Sequence, residues 1–126
     1  LHNDPILGHI TTFGANPVIC ASALETLKIV LNTKIMSGVI EKEKIIRKLL
    51  IHKHITEIRG MGLMLSIILK NGNLATKLVH NAKENGLILF FLLIEKKAVR
   101  ITPPLSISTN EIKQGCKIIL DVLEKI

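Results

Sequence analysis

Three short segments of this 126-residue chain put residues able to do chemistry at spacings that local structure would bring to a point. The first, Gly8-His9-Ile10-Thr11-Thr12-Phe13-Gly14-Ala15-Asn16-Pro17, sets two hydroxyls and two small residues just ahead of a helix start. Hydroxyls and N–H groups there suit an anion such as a phosphate. The second, Arg59-Gly60-Met61-Gly62-Leu63-Met64, is a glycine-flanked turn between strands. The third ends a strand at Arg100, one of three arginines, just before Thr102-Pro103-Pro104-Leu105. A guanidinium pinned by a stiff turn suits bidentate recognition of a carboxylate. Taken singly, the same segments also read as an N-capped helix start, a tight hairpin and a surface ion pair.

Other chemistries find less support. HExxH, the phosphate-cradling GxxxxGK[ST] and GxGxxG are all absent. His52 and His54 flank Lys53 after a helical stretch. Such a pair could ligate a metal, but without an acidic or thiol partner nearby an exposed polar loop is expected, and no metal site. Cys20 and Cys116 lie far apart, each on the apolar side of a helical pattern. Buried, reduced thiols are therefore expected rather than a disulfide, which fits a cytoplasmic protein.

The formal charge is +7, and 14 of the 17 basic residues are lysines spread along the chain. A basic balance of this size attracts nucleic acid or anionic membranes. With no Trp, no Tyr and three Phe, however, no basic stripe is interleaved with aromatics. The expectation is a solvated lysine surface, with no nucleic-acid partner. The longest apolar run, Gly86 to Ile94, falls far short of the ~20 residues a membrane span needs. No membrane partner is expected and no signal-peptide pattern is visible. The chain starts at Leu1 without Met, on residues with the character of mid-domain sequence, and reads as a fragment.

These residues need elements to position them. Asn16-Pro17 makes a good helix opening, because Asn caps and Pro gives up an N–H that would be unpaired anyway. Cys20, Leu24, Leu27 and Leu31 follow at helical spacing, and the pattern breaks around Asn32 to Ser37. A second helix is predicted over Val39 to Ile51, with Ile46, Leu49 and Leu50 inward and Glu41-Lys42-Glu43-Lys44 solvated. Strands are predicted over Ile55 to Arg59 and Leu63 to Leu69, then a helix over Asn73 to Asn85 that stops at Gly86. Leu87 to Ile94 reads as a buried strand, Glu95-Lys96-Lys97 as a tight loop, and Ala98 to Thr102 as a strand stopped by Pro103-Pro104. Ser108-Thr109-Asn110-Glu111 is a capping box opening the last helix. The order α-β-β-α-β-β-α implies a small mixed or antiparallel sheet with helices packed on it, an α/β or α+β fold.

In order and at this spacing, the segments resemble class III PLP-dependent aminotransferases of the acetylornithine, ornithine and 4-aminobutyrate type. The matching stretches are GHITTFGANPVICASALETL, EIRGMGLMLSIIL, and AVRITPPLSIS followed by EIKQGCKIIL, covering essentially the whole chain. The resemblance implies a fold-type I, α/β enzyme whose small domain is α+β. Residues 1–32 would be the end of the large PLP-binding domain and residues 33–126 the small C-terminal domain. It further implies a homodimer with pyridoxal 5'-phosphate at the interface, moving an amino group from an amino-acid or amine donor to a 2-oxo acid. On that pattern Thr12 binds the phosphate of the opposite subunit's cofactor, Thr11 lies beside it near the substrate, and Arg100 pairs with the substrate α-carboxylate. The Arg59 motif would be structural.

The departures are Ala15 where the family has Gly, Ile68 where an acidic residue is common, and Leu89-Phe90 where polar residues are frequent. A Cβ at residue 15 is a mild constraint provided φ stays negative. The family's Schiff-base lysine, ring-nitrogen aspartate and glycine-rich phosphate cradle lie upstream of the first motif, so no catalytic residue is expected here. The rival reading is a non-catalytic interaction or regulatory relic that binds a partner or an acidic ligand. The reading frame upstream of Leu1 separates the two.

Overall fold

Local capping sets the helix starts. In the computed structural model, which describes residues 11–32 and 34–126, the Asn16 Oδ1 accepts the N–H groups of Val18 (3.1 Å) and Ile19 (3.3 Å). Helix α1 follows over Pro17–Asn32. No residue of α1 is buried, and its apolar Val18, Leu24, Leu27 and Leu31 are all exposed. Cys20 is accordingly exposed, not buried as its helical spacing implied. Spacing selects a face of a helix, but a second element must cover that face before it counts as core.

The chain divides into two compact units, Leu1–Lys34 and Ile35–Ile126. The second holds helix α2 (Val39–Leu49), strands β1 (Ile55–Met61) and β2 (Met64–Leu69), helix α3 (Gly72–Glu84), strands β3 (Phe90–Phe91) and β4 (Ala98–Ile101), and helix α4 (Thr109–Glu124). The Asn71 side chain caps α3 at the Leu74 N–H, and Ser108 with Glu111 forms the full capping box on α4. Gly86 ends α3 at φ 82°. All strand pairs are antiparallel, in the order β1-β2-β4-β3.

Sequence alternation sorts the two faces of this sheet. Leu65, Ile67 and Leu69 of β2 and Val99 of β4 are buried against the helices. They meet Leu78 and Ala82 of α3, Ile46 of α2, and Ile112, Cys116, Ile119 and Leu123 of α4. Each fully buried Leu or Ile contributes about 1.5–3 kcal/mol by leaving water. Burial pushes the Cys116 thiol up to about 11, so it packs as an inert apolar group.

Two expectations fail in this unit. The run Leu87 to Ile94 is not a buried strand: only Phe90–Phe91 pairs, and Ile88, Phe90, Leu93 and Ile94 are exposed. Helices cover one face of the sheet, and β3 lies at its edge, so a continuous apolar run has nowhere to be buried on both sides. Nor is the Glu41 to Lys44 run simply solvated. Glu43, 17% exposed, accepts the Gly62 N–H (2.5 Å) and the Arg47 Nε–H (2.8 Å). Lys42 Nζ donates to the Leu105 carbonyl. Arg47 completes the bracket by donating to the carbonyls of Ile58 (2.7 Å) and Gly60 (2.8 Å).

The β1–β2 hairpin turns on Gly62, at φ 61°, with Met61 paired to Met64. Gly60, at φ 110°, lies so close to β2 that an added Cβ would collide with the Met64 carbonyl oxygen. At Gly86 the same addition meets nothing within 4 Å. Gly86→Ala should therefore cost only the left-handed backbone penalty of about 1–2 kcal/mol. Gly60→Ala carries that penalty and a steric one, and should lower the urea midpoint further. Equal losses in urea unfolding would show that the close approach at Gly60 is not needed.

Candidate functional site

The register of the four strands lines up one row across the sheet face opposite the helices. Arg59 of β1 pairs with Ser66 of β2, Ser66 with Arg100 of β4, and Arg100 with Phe90 of β3. Directly opposed residues have their Cβ atoms about 4.5–5.5 Å apart, so these side chains are neighbours. Arg59 and Arg100 line one open hollow together with Ser66 and Leu92. Behind Arg100 the chain leaves β4 through Thr102-Pro103-Pro104. Pro104 accepts the Ile107 N–H (3.0 Å), and Leu105 is held by Lys42 of α2.

The three arginines of the chain are held in different ways. Arg47 is spent on Glu43 and the hairpin carbonyls. Arg59 binds Glu57 at 2.8 Å, which raises the guanidinium's pKa and holds the Glu57 carboxyl below the usual carboxylate range. Arg100 is exposed and has no carboxylate partner among the described residues; its guanidinium carbon lies 4.9 Å over the centre of the Phe90 ring. A ring face attracts the cation without accepting its in-plane N–H bonds. The Arg100 donors stay open.

The hydroxyl-rich segment belongs to the first unit. Thr11 and Thr12 are exposed on a turn closed by the Gly14 N–H to the Thr11 carbonyl (3.2 Å). A Cβ on Gly14 would come within 2.6 Å of the Thr11 hydroxyl, so a larger residue there would force the Thr11 side chain to move. Asn16 caps α1 as its sequence position implies, and so takes the amides of Val18 and Ile19 that an anion would otherwise use. Ala15 has φ 59°, so the Cβ that replaces the family's glycine sits in the left-handed region and costs about 1–2 kcal/mol. His9, in the same segment, lies outside the described residues.

The histidine pair also differs from its sequence reading. His52 lies in the loop between α2 and β1, as expected, but it is not exposed there: its ring is 5% exposed, and its Nε2 lies 3.0 Å from Glu124 Oε1 at the end of α4. Its Nδ1 accepts the His54 N–H (3.2 Å), which leaves Nε2 as the donor to Glu124. The acidic partner missing from the neighbouring sequence thus arrives from 72 residues away. His54 is half-buried beside the His52 ring, and its Nδ1 is buried without a hydrogen-bond partner among the described residues. Among the described residues no group of three or more His, Cys, Asp or Glu could hold a metal ion. No described helix is long and apolar enough to cross a membrane.

Sequence reasoning missed Glu43, Arg47 and the role of Phe90. The i,i+4 spacing of Glu43 and Arg47 was a usable signal for their pairing. Phe90 could be matched to Arg100 only once the β3–β4 register was known.

Solved structures with this fold are aminotransferases. A Bacillus anthracis aminotransferase superposes with a TM-score of 0.82 at 28% identity, over 94% of this chain and 30% of that one. The ornithine delta-aminotransferase of Plasmodium falciparum superposes at 0.77 with 31% identity, over 93% of this chain and 31% of that one. The family described as Aminotransferase class-III matches residues 3–123, and the chain belongs to that family. The acetylornithine aminotransferase of Caldanaerobacter subterraneus subsp. tengcongensis is 34% identical over 123 residues, covering 94% of this chain and 30% of that protein. The acetylornithine/succinyldiaminopimelate aminotransferase of Buchnera aphidicola subsp. Acyrthosiphon pisum is 38% identical over 125 residues, covering 93% and 30%. The chain thus spans about 30% of the length of these curated relatives.

His54 sets a pH dependence. Desolvation pushes its pKa below the usual histidine range; repulsion from His52, Lys53 and Lys70 adds to this, and Glu124 opposes it. The folded value lies below the unfolded one, so the unfolded chain takes up the proton first. Stability is then full above the unfolded pKa of about 6.5 and falls as pH drops through that value toward the folded one. The urea midpoint should fall between pH 7 and pH 5, and His54→Phe should flatten that slope. An unchanged slope in the variant would assign the dependence to other groups.

Proposed function

We propose that this chain works within a class III aminotransferase that moves an amino group from an amino-acid or amine donor to a 2-oxo acid. The observation that carries the reading is Arg100: an exposed guanidinium fixed at a strand end with its in-plane donors unspent. A planar fork of this kind matches the two oxygens of a substrate α-carboxylate. In this reading Arg100 anchors that carboxylate and thereby orients the Cα–H bond of the bound substrate. The cofactor of the reading, pyridoxal 5'-phosphate, supplies an electron sink when bound.

The residues present fit one edge of a site for that cofactor. Thr11 and Thr12 offer exposed neutral hydroxyls on a turn closed by the Gly14 N–H. The Thr12 hydroxyl would donate to the cofactor phosphate, across the interface of a homodimer, with Thr11 beside it on the substrate side. A cytoplasmic setting goes with this reading. None of the 14 lysines stands in the family's cofactor-bearing context, so that group is assigned to a stretch preceding Thr11-Thr12 in such enzymes.

Two outcomes test the proposal. The 126-residue chain alone, incubated with pyridoxal 5'-phosphate and reduced with borohydride, should show no turnover and no single stoichiometrically labelled lysine. Either result reversed removes the idea that the chemistry needs residues beyond this chain. In the full-length protein, Arg100→Lys should lower kcat/KM for α-carboxylate substrates about 10- to 100-fold, the worth of a charge-assisted bidentate bond. Cofactor retention and amine donors without a carboxylate should be spared. Equal loss with a carboxylate-free amine would make Arg100 structural and favour an interaction module instead.

A further inference from the structure

We infer that Phe90 is a positioning residue for Arg100: its ring holds the guanidinium by the face so that all in-plane donors remain available to a carboxylate from outside the chain. The inference rests on the reading of Arg100 as a carboxylate anchor and adds a residue that no motif in the sequence marks. Three observations support it. Phe90 and Arg100 are direct cross-strand partners, so the contact is built into the β3–β4 register rather than reached by chance. The guanidinium carbon lies 4.9 Å from the ring centre, within the ~6 Å over which a ring face attracts a cation. The other two arginines are held by carboxylates, Glu43 and Glu57, which consume the donors that recognition would need.

The acid nearest in the sheet supports the same division. Glu57 shares the outer face with Arg100 but is bound by Arg59 at 2.8 Å. Its own register neighbours are the buried, apolar Ile68 and then Ala98. Arg59 thus occupies the strand carboxylate on that face, and Glu95, whose charge also reaches Arg59, accepts the Lys97 N–H. A carboxylate at position 90 would have the opposite effect to a ring: it would pin Arg100 firmly and leave it spent. Where an arginine must stay put and still bind an incoming anion, an aromatic neighbour satisfies both requirements.

The test uses three variants of the full-length protein, read by equilibrium binding, kinetics and NMR. Phe90→Leu keeps apolar bulk without the ring, Phe90→Trp keeps a ring face, and Phe90→Glu offers the guanidinium a carboxylate. The KM and the equilibrium dissociation constant for a 2-oxo acid should rise about two- to five-fold in Phe90→Leu, the range of an exposed cation–π contact. Phe90→Trp should restore both, and Phe90→Glu should weaken binding most. In all three, kcat and the KM of a carboxylate-free amine should stay within two-fold. Independently of any ligand, the Arg100 δ-proton resonances should show a ring-current shift that Phe90→Leu abolishes and Phe90→Trp retains. If 2-oxo acid binding is unchanged in Phe90→Leu while Arg100→Lys still weakens it, the positioning role is overturned and the anchor reading stands. If Arg100→Lys leaves binding intact, the anchor reading itself falls, whatever the ring-current result.

Discussion

The bracket made by Glu43 and Arg47 is the interaction from which the geometry of the second unit follows. One turn of α2 presents a carboxylate and a guanidinium, and together they take up an N–H and two carbonyls of the β1–β2 hairpin. The Arg47 bond lowers the Glu43 pKa, and the Gly62 N–H adds to the effect, so the carboxylate stays charged and keeps its grip. Both groups would be expensive to leave unpaired where they stand, so the helix and the hairpin are tied as one piece. The hairpin fixes β2, β2 fixes β4 by its register, and β4 carries Arg100. The orientation of the exposed arginine is thus inherited through backbone ladders from a side-chain clasp two strands away.

What could be read from the sequence was what neighbours decide. The caps at Asn16 and Ser108, the left-handed Gly86 and the hairpin glycines are each settled within a few residues, and their chemistry shows in the letters. What could not be read depended on distant chain. The His52 ring looked exposed because Glu124 is nowhere near it in sequence. The run from Leu87 looked buried because alternation says nothing of how many faces a sheet has covered. The site divides in the same way. Arg100 and the threonines stood out through their local setting and the family's motifs, whereas Phe90 acquired a role only from strand pairing.

Two departures from the family's pattern receive a physical account. Ile68 is buried between Glu57 and Ala98 in the register, where an acidic side chain would lie beside the Glu57 carboxylate. Ala15 has no such compensation. It adopts φ 59° with a Cβ in place, immediately before the capped start of α1, so the turn holding Thr12 carries backbone strain that a glycine would release.

The brevity of β3 has a consequence for the life of this chain in crowded solution. Strand edges with exposed Ile, Phe and Leu are the places where one molecule can extend its sheet into another and seed a fibre. Here the edge offers only Phe90 and Phe91 in ladder geometry, too few backbone groups to template a lasting cross-β contact. Beyond Ile94 the sequence turns at once to Glu95-Lys96-Lys97, whose charges would be stacked against like charges in any in-register pairing. Lengthening β3 or neutralising those lysines would raise the tendency of this apolar run to pair between molecules.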